Sequence, residues 1–160
     1  MPQRLIFLAL AIISAIGFTN HGQGEQRARV SPTDALVVCV SAPACDAGAA
    51  VLARGGNAVD AAVATGFALA VTHPSAGNIG GGGFMVLRLP NGRTTAFDFR
   101  EKAPLRSTPT MYLDAEGNID RSLTGAGYLA PGVPGTVRGF AAAHKKFGKL
   151  PWREVVMRGV

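Results

Sequence analysis

Asp98, Arg100 and Glu101 stand together at the end of an alternating apolar run, shortly after Gly80-Gly81-Gly82-Gly83. A guanidinium in that position can offer a planar fork to a carboxylate, with two parallel charge-assisted hydrogen bonds that the point charge of lysine cannot reproduce. The same residues can also form an exposed ion-pair cluster, which contributes little to stability. Residue chemistry leaves both readings open, and it makes Arg100 the place to look for a bound carboxylate.

The glycine run resembles a phosphate cradle only superficially. Gly77 to Gly83 leads into Phe84, where a nucleotide loop needs Lys and Ser or Thr, and it precedes a strand rather than a helix. The expected role is a turn with positive φ that lets another segment come close. His21, His73 and His144 are isolated from one another and from paired carboxylates, so no metal site is expected. His144 reads as a packed core residue. Cys39 and Cys45 are candidates for a disulfide in an exported protein, but Cys39 lies in the apolar run Val37-Val38-Cys39-Val40 and reads better as a buried small hydrophobe. No Ser or Cys has an evident base and there is no Gly-x-Ser-x-Gly elbow, so no catalytic nucleophile is expected in this chain.

The elements that must position Arg100 follow from periodicity and punctuation. Ala35 to Val40 is a short β-type run, and Ser41 to Ala44 a turn closed by Pro43. Asp46 is expected to cap a helix through Ala47 to Arg54, stopped by Gly55-Gly56. Asn57, with Asp60 three residues later, has the form of a capping box for a helix over Ala58 to Val71. That helix is apolar almost all round, which predicts burial, and its small side chains allow close approach. Pro74 ends it. The runs Phe84 to Leu89 and Thr94 to Phe99 flank Asn91-Gly92, a hairpin signal. Alternation puts Thr94, Ala96, Asp98 and Arg100 on one face and Phe97 and Phe99 on the other.

Lys102 to Pro131 reads as an irregular covering segment. Pro134 opens a third helix with Val137, Phe140, Ala141 and His144 on one face, stopped by Gly148, and Pro151 begins another. With only two or three strands and a buried helix in need of partners, the chain reads as the opening section of a larger fold.

Composition sets the outer limits. The 160 residues are 48% hydrophobic and 16% charged, with 21 glycines, which suits a packed core with many tight turns. The net charge of +6 is scattered from Arg4 to Arg158 without interleaved aromatics, so nucleic-acid binding is not expected. Lys145, Lys146 and Lys149 fall at a helix end, where cations meet the macrodipole. Met1 to Arg4 followed by the apolar Leu5 to Phe18 is a signal-peptide pattern over 1–24, too short for a membrane span, with an interfacial anchor as the alternative. A polar leader over 25–34 and one incomplete domain over 35–160 complete the organisation. Export to a periplasm or the cell exterior follows.

Gly55-Gly56-Asn57-Ala58-Val59-Asp60-Ala61-Ala62, Ala68 to Pro74, Gly77-Asn78-Ile79-Gly80-Gly81-Gly82-Gly83-Phe84, Asp98-Phe99-Arg100-Glu101-Lys102-Ala103-Pro104 and Pro131-Gly132-Val133-Pro134-Gly135-Thr136-Val137 occur in that order. Together they resemble the N-terminal part of the gamma-glutamyltransferase large subunit. The resemblance implies an α+β fold, the N-terminal portion of an N-terminal-nucleophile hydrolase αββα sandwich. It also implies a precursor that cleaves itself into large and small subunits, exposing a Thr whose own α-amine serves as base. The acyl group would pass from glutathione or another gamma-glutamyl donor to water, an amino acid or a peptide. No cofactor is implied. By the family motif Arg100 matches the arginine that binds the gamma-glutamyl α-carboxylate, and Glu101 a neighbouring acidic position of less certain role. The nucleophile and most glutamate-binding residues would lie beyond Val160. A non-catalytic exported fragment that binds a partner subunit, or a related amidase with another acyl substrate, are the competing expectations.

Overall fold

The computed structural model describes residues 35–158; the signal-peptide and leader assignments lie outside them. Helix α1, Ala42–Ala53, starts five residues earlier than expected. Pro43 does not close a turn there but sits in the first helical turn, where its fixed φ is suitable and its missing N–H is no loss. Asp46 is therefore inside the helix rather than its cap. Gly55 reverses the chain at φ 85°, and Asn57 caps α2, Ala58–Thr72.

The capping box is complete. The Asn57 side chain accepts from the backbone of Val59 and Asp60, while Asp60 Oδ2 accepts from the Asn57 backbone at 2.8 Å. Asp60 does more than cap. Its fully buried carboxylate also accepts from the backbone N–H of Lys149 at 3.0 Å and of Leu150 at 3.3 Å. His144 Nε2 lies 3.1 Å away, outside hydrogen-bond alignment, and the ring packs on Trp152 with centroids 5.2 Å apart. His144 is buried, as a packed core residue should be. Asn57 Nδ2 donates to the carbonyl of Phe147 at 2.7 Å, so the start of α2 is tied to a segment about ninety residues later.

Helix α2 is not covered all round. Val59, Ala61, Val63, Ala64 and Ala68 are in the core, whereas Ala62 and Val71 face outward because no described element packs on that side. Strands β1, Phe84–Arg88, and β2, Thr94–Asp98, form one antiparallel pair with Phe84 opposite Asp98 and Arg88 opposite Thr94. The Gly92 N–H donates to the Leu89 carbonyl at 2.9 Å, and Gly92 takes φ 80°, the left-handed position that closes a three-residue hairpin connection. Thr95, Phe97 and Phe99 point inward while Thr94, Ala96, Asp98 and Arg100 are exposed, as the alternation requires.

The expected strand at Ala35 to Val40 is absent. The segment keeps a strand's alternation, with Val37 and Cys39 inward, but no described strand offers it a ladder. The reading of Cys39 as a free buried hydrophobe is also overturned: Cys39 and Cys45 form a disulfide with their Cα atoms 5.7 Å apart. This bridge ties the extended segment to the first turns of α1. A Cys45→Ala variant should lose about 2 kcal/mol of unfolding free energy through the loop-closure term for so short a loop, measurable as a shift in denaturant midpoint that reductant reproduces in the parent.

Residues 102–131 are largely irregular, with isolated bridges Lys102–Val133 and Leu113–Ile119 and a short helix α3, Arg121–Gly125, capped by Asp120. Helix α4 spans Thr136–Phe147 and α5 Trp152–Val156. The buried stripe of α4 is rotated from the expected one. Thr136, Gly139, Ala143 and His144 are buried with Phe140 partly so, whereas Val137 is 43% exposed, because Gly139 and not Val137 meets the Phe99 ring. Lys145 and Lys146 lie in the last turn of α4, but Lys149 lies beyond it, with its N–H committed to Asp60. The edge-to-face pair Phe67–Phe140, with centroids 5.4 Å apart, joins α2 to α4, and Phe99–Phe140 and Phe97–Phe147, at 5.6 and 6.1 Å, join α4 to the hairpin.

Candidate functional site

The position of Arg100 is fixed by the inward side of β2. The Phe99 ring fills the space left by Gly139, and the Phe99 carbonyl lies where a side chain on Gly135 would be. The Phe99 N–H donates to the Gly83 carbonyl at 3.0 Å, which extends the hairpin ladder back into the glycine run. Gly81 then ties that run to α4, its carbonyl accepting from Gly135 at 2.8 Å and Thr136 at 3.1 Å. Asn78 Oδ1 accepts from the Gly81 N–H and the Thr136 hydroxyl, so one amide side chain fixes both the glycine loop and the helix start.

None of the glycines from Gly77 to Gly83 has positive φ, contrary to expectation. Close approach is the reason for Gly77, Gly81, Gly82 and Gly83, whereas Gly80 faces open space. A Cβ on Gly82 would stand 2.6 Å from Arg100 Cα and 2.8 Å from Glu101 N, and one on Gly77 would strike the Leu69 backbone. Gly82→Ala should therefore displace the backbone at Arg100 and Glu101, seen as changed amide chemical shifts of those two residues, whereas an alanine at the unobstructed Gly80 should leave them in place.

Arg100 itself projects from the outer face. Its Nε donates to Asp98 Oδ1 at 3.2 Å and its Nη2 to Asp98 Oδ2 at 2.9 Å, while the Arg100 N–H also donates to Oδ1 at 3.1 Å. The guanidinium carbon lies 4.9 Å above the Phe84 ring. The pair is exposed, with side-chain accessibilities of 64% for Arg100 and 54% for Asp98. The Arg100 side chain, through its hydrogen bonds, holds the Asp98 carboxyl below its ordinary value, and Asp98 in turn raises Arg100. The interaction is thus present above pH 3.8 and is lost only as pH falls through the lower folded value.

The two readings of Asp98 and Arg100 are therefore not exclusive. They form a surface pair, and the pair leaves the Nη1 edge of the fork without a partner among the described residues. Glu101 sits beside it, exposed, with its side chain against Gly81 and Gly132. A pocket of about 360 Å³ opens along the free edge of β2 toward α4, and Arg100, Lys102 and Arg138 line it with Asp98 as its acid. Sequence reasoning missed Lys102 and Arg138 as neighbours of Arg100. Lys102 was legible two residues along the same alternation, but Arg138 reaches the site only through the packing of α4. Among the described residues no cluster of three or more His, Cys, Asp or Glu is placed to hold a metal, and no helix is long and apolar enough to cross a membrane.

The gamma-glutamyltranspeptidase family model matches residues 44–160. The chain belongs to the gamma-glutamyltranspeptidase family. It is 55% identical over 121 residues to the glutathione hydrolase proenzyme of Escherichia coli, covering 76% of this chain and 21% of that protein. Among solved structures it is similar to Helicobacter pylori gamma-glutamyltranspeptidase at 51% identity and a TM-score of 0.77, covering 81% of this chain and 38% of that one. The Bacillus anthracis transpeptidase CapD matches with 29% identity and a TM-score of 0.61 over 79% of this chain and 38% of its own. The chain thus spans about a fifth of the length of the curated relative. In this gamma-glutamyltranspeptidase segment the α+β arrangement is the N-terminal portion of an N-terminal-nucleophile hydrolase fold.

Proposed function

We propose that the complete protein carrying this segment is a gamma-glutamyltransferase and glutathione hydrolase, and that Arg100 binds the α-carboxylate of the gamma-glutamyl donor. The observation that carries the reading is the unpartnered Nη1 edge of Arg100, held beside a glycine loop in a chain of this family. In this reading an N-terminal Thr of a small subunit, released by self-cleavage of the precursor, attacks the gamma-glutamyl carbonyl with its own α-amine as base. The leaving amine takes the proton, and the gamma-glutamyl ester then passes to water, an amino acid or a peptide. Glu101 supports the backbone beside Arg100 rather than touching substrate, consistent with its packing against Gly81 and Gly132. The proenzyme form of the relative supports processing into two subunits that remain partners. The basic and apolar N-terminus supports a signal peptide and a periplasmic or secreted location.

The deciding experiment is hydrolysis of gamma-glutamyl-p-nitroanilide by the 160-residue chain alone and by the product of the extended reading frame. Activity in the extended, self-cleaved product only is the expected result. Activity in neither would favour a non-catalytic fragment or an amidase acting on another acyl group.

A further inference from the structure

We infer that Asp98 is a positioning residue for donor recognition: it holds the Arg100 guanidinium from the side and leaves its end-on edge to the substrate carboxylate. The inference rests on the proposed binding of a gamma-glutamyl α-carboxylate by Arg100.

A guanidinium has two edges suited to a carboxylate, one made by Nε and Nη2 and one by Nη1 and Nη2. Asp98 occupies the first, through Nε to Oδ1 at 3.2 Å and Nη2 to Oδ2 at 2.9 Å. This bidentate contact fixes the plane of the group as well as its place. The Phe84 ring, 4.9 Å from the guanidinium carbon, supports one face of that plane. The Asp98 carboxylate is itself anchored, since Oδ1 also accepts from the Arg100 backbone N–H at 3.1 Å. An exposed arginine without such support would sample many rotamers, and ordering it would be charged to the binding step. Here the ordering is done before the donor arrives.

The arrangement also accounts for the sequence spacing. Residues two apart on a strand point to the same face, and Phe84 lies directly across the ladder from Asp98. Two side chains that face each other across the hairpin, Asp98 and Phe84, therefore converge on the Arg100 guanidinium. Arg138 and Lys102 line the same pocket but form no ion pair with Asp98; the Asp98 carboxylate is committed to Arg100.

The test uses the full-length self-cleaved enzyme with Asp98→Asn, and two donors: gamma-glutamyl-p-nitroanilide and 4-aminobutyryl-p-nitroanilide, which lacks the α-carboxylate. The ratio of kcat/KM between the two donors should fall on the order of tenfold in Asp98→Asn, mainly through KM of the glutamyl donor. Asp98→Glu, which keeps the charge, should recover part of the ratio. An independent readout is the Arg100 Nε–H resonance in a nitrogen-15 spectrum of the same proteins, expected to be sharp and slowly exchanging in the parent and broadened in Asp98→Asn. A ratio that is retained while both donors decline together would overturn the inference in favour of a general structural role, as would an unchanged Arg100 resonance. If instead the parent does not discriminate the two donors, or Arg100→Ala leaves the glutamyl KM unchanged, the proposed binding role of Arg100 fails first and this inference with it.

Discussion

With Arg100 binding the donor α-carboxylate as proposed, Arg100→Ala in the full-length protein should raise KM for a gamma-glutamyl donor on the order of 100-fold, because it would remove two charge-assisted hydrogen bonds to that carboxylate. The loss should be concentrated in the donor. Acceptor dependence, measured as transfer to a dipeptide at saturating donor, should change little. Arg100→Lys should recover little of the loss, since an ammonium cannot reproduce the fork. The exposure of Arg100 makes this variant a clean one, as its side chain contributes nothing to the core and folding should be intact. Unchanged donor KM would remove Arg100 from the site.

The largest expected effect on stability comes from Asp60→Ala. This single carboxylate completes the cap of α2 and accepts from the backbone of Lys149 and Leu150 in a fully buried position. Alanine would leave those two donors without a partner, at ~1–3 kcal/mol for each unsatisfied group and ~1 kcal/mol for the lost cap, or about 3–7 kcal/mol together. Asp60→Asn keeps one acceptor oxygen and should cost clearly less. Chemical denaturation of the two variants against the parent checks the order. Equal, small losses in both would show that water reaches the orphaned amides.

Asp60 also shows where the sequence stops being informative. Its place in a capping box was legible from Asn57 three residues earlier, because that geometry is local. Its bonds to Lys149 and Leu150 were not, since nothing in either stretch marks a partner about ninety residues away. The hairpin and the outward face of Arg100 were legible for the same local reason: alternation and Asn91-Gly92 determine both. Ala35 to Val40 failed because a strand needs a neighbour as well as a pattern, and the described residues supply none. Pro43 was misread because proline suits both a turn and a first helical turn. The rotated stripe of α4 reflects a glycine that periodicity ignores, although Phe99 selects it by shape. At the site, residue types picked out Arg100, while the role of Asp98 required distances.

The hairpin leaves one side bare: Phe84 is 63% and Val86 75% exposed, and among the described residues no strand lies beside the outer edge of β2. During synthesis this segment leaves the ribosome well before the strands of the larger fold, so its apolar face has nothing to close against. With export as proposed, that delay would work in the protein's favour: a chain that cannot finish its sheet early would stay loose enough to be threaded across a membrane and would become compact once the later strands arrive.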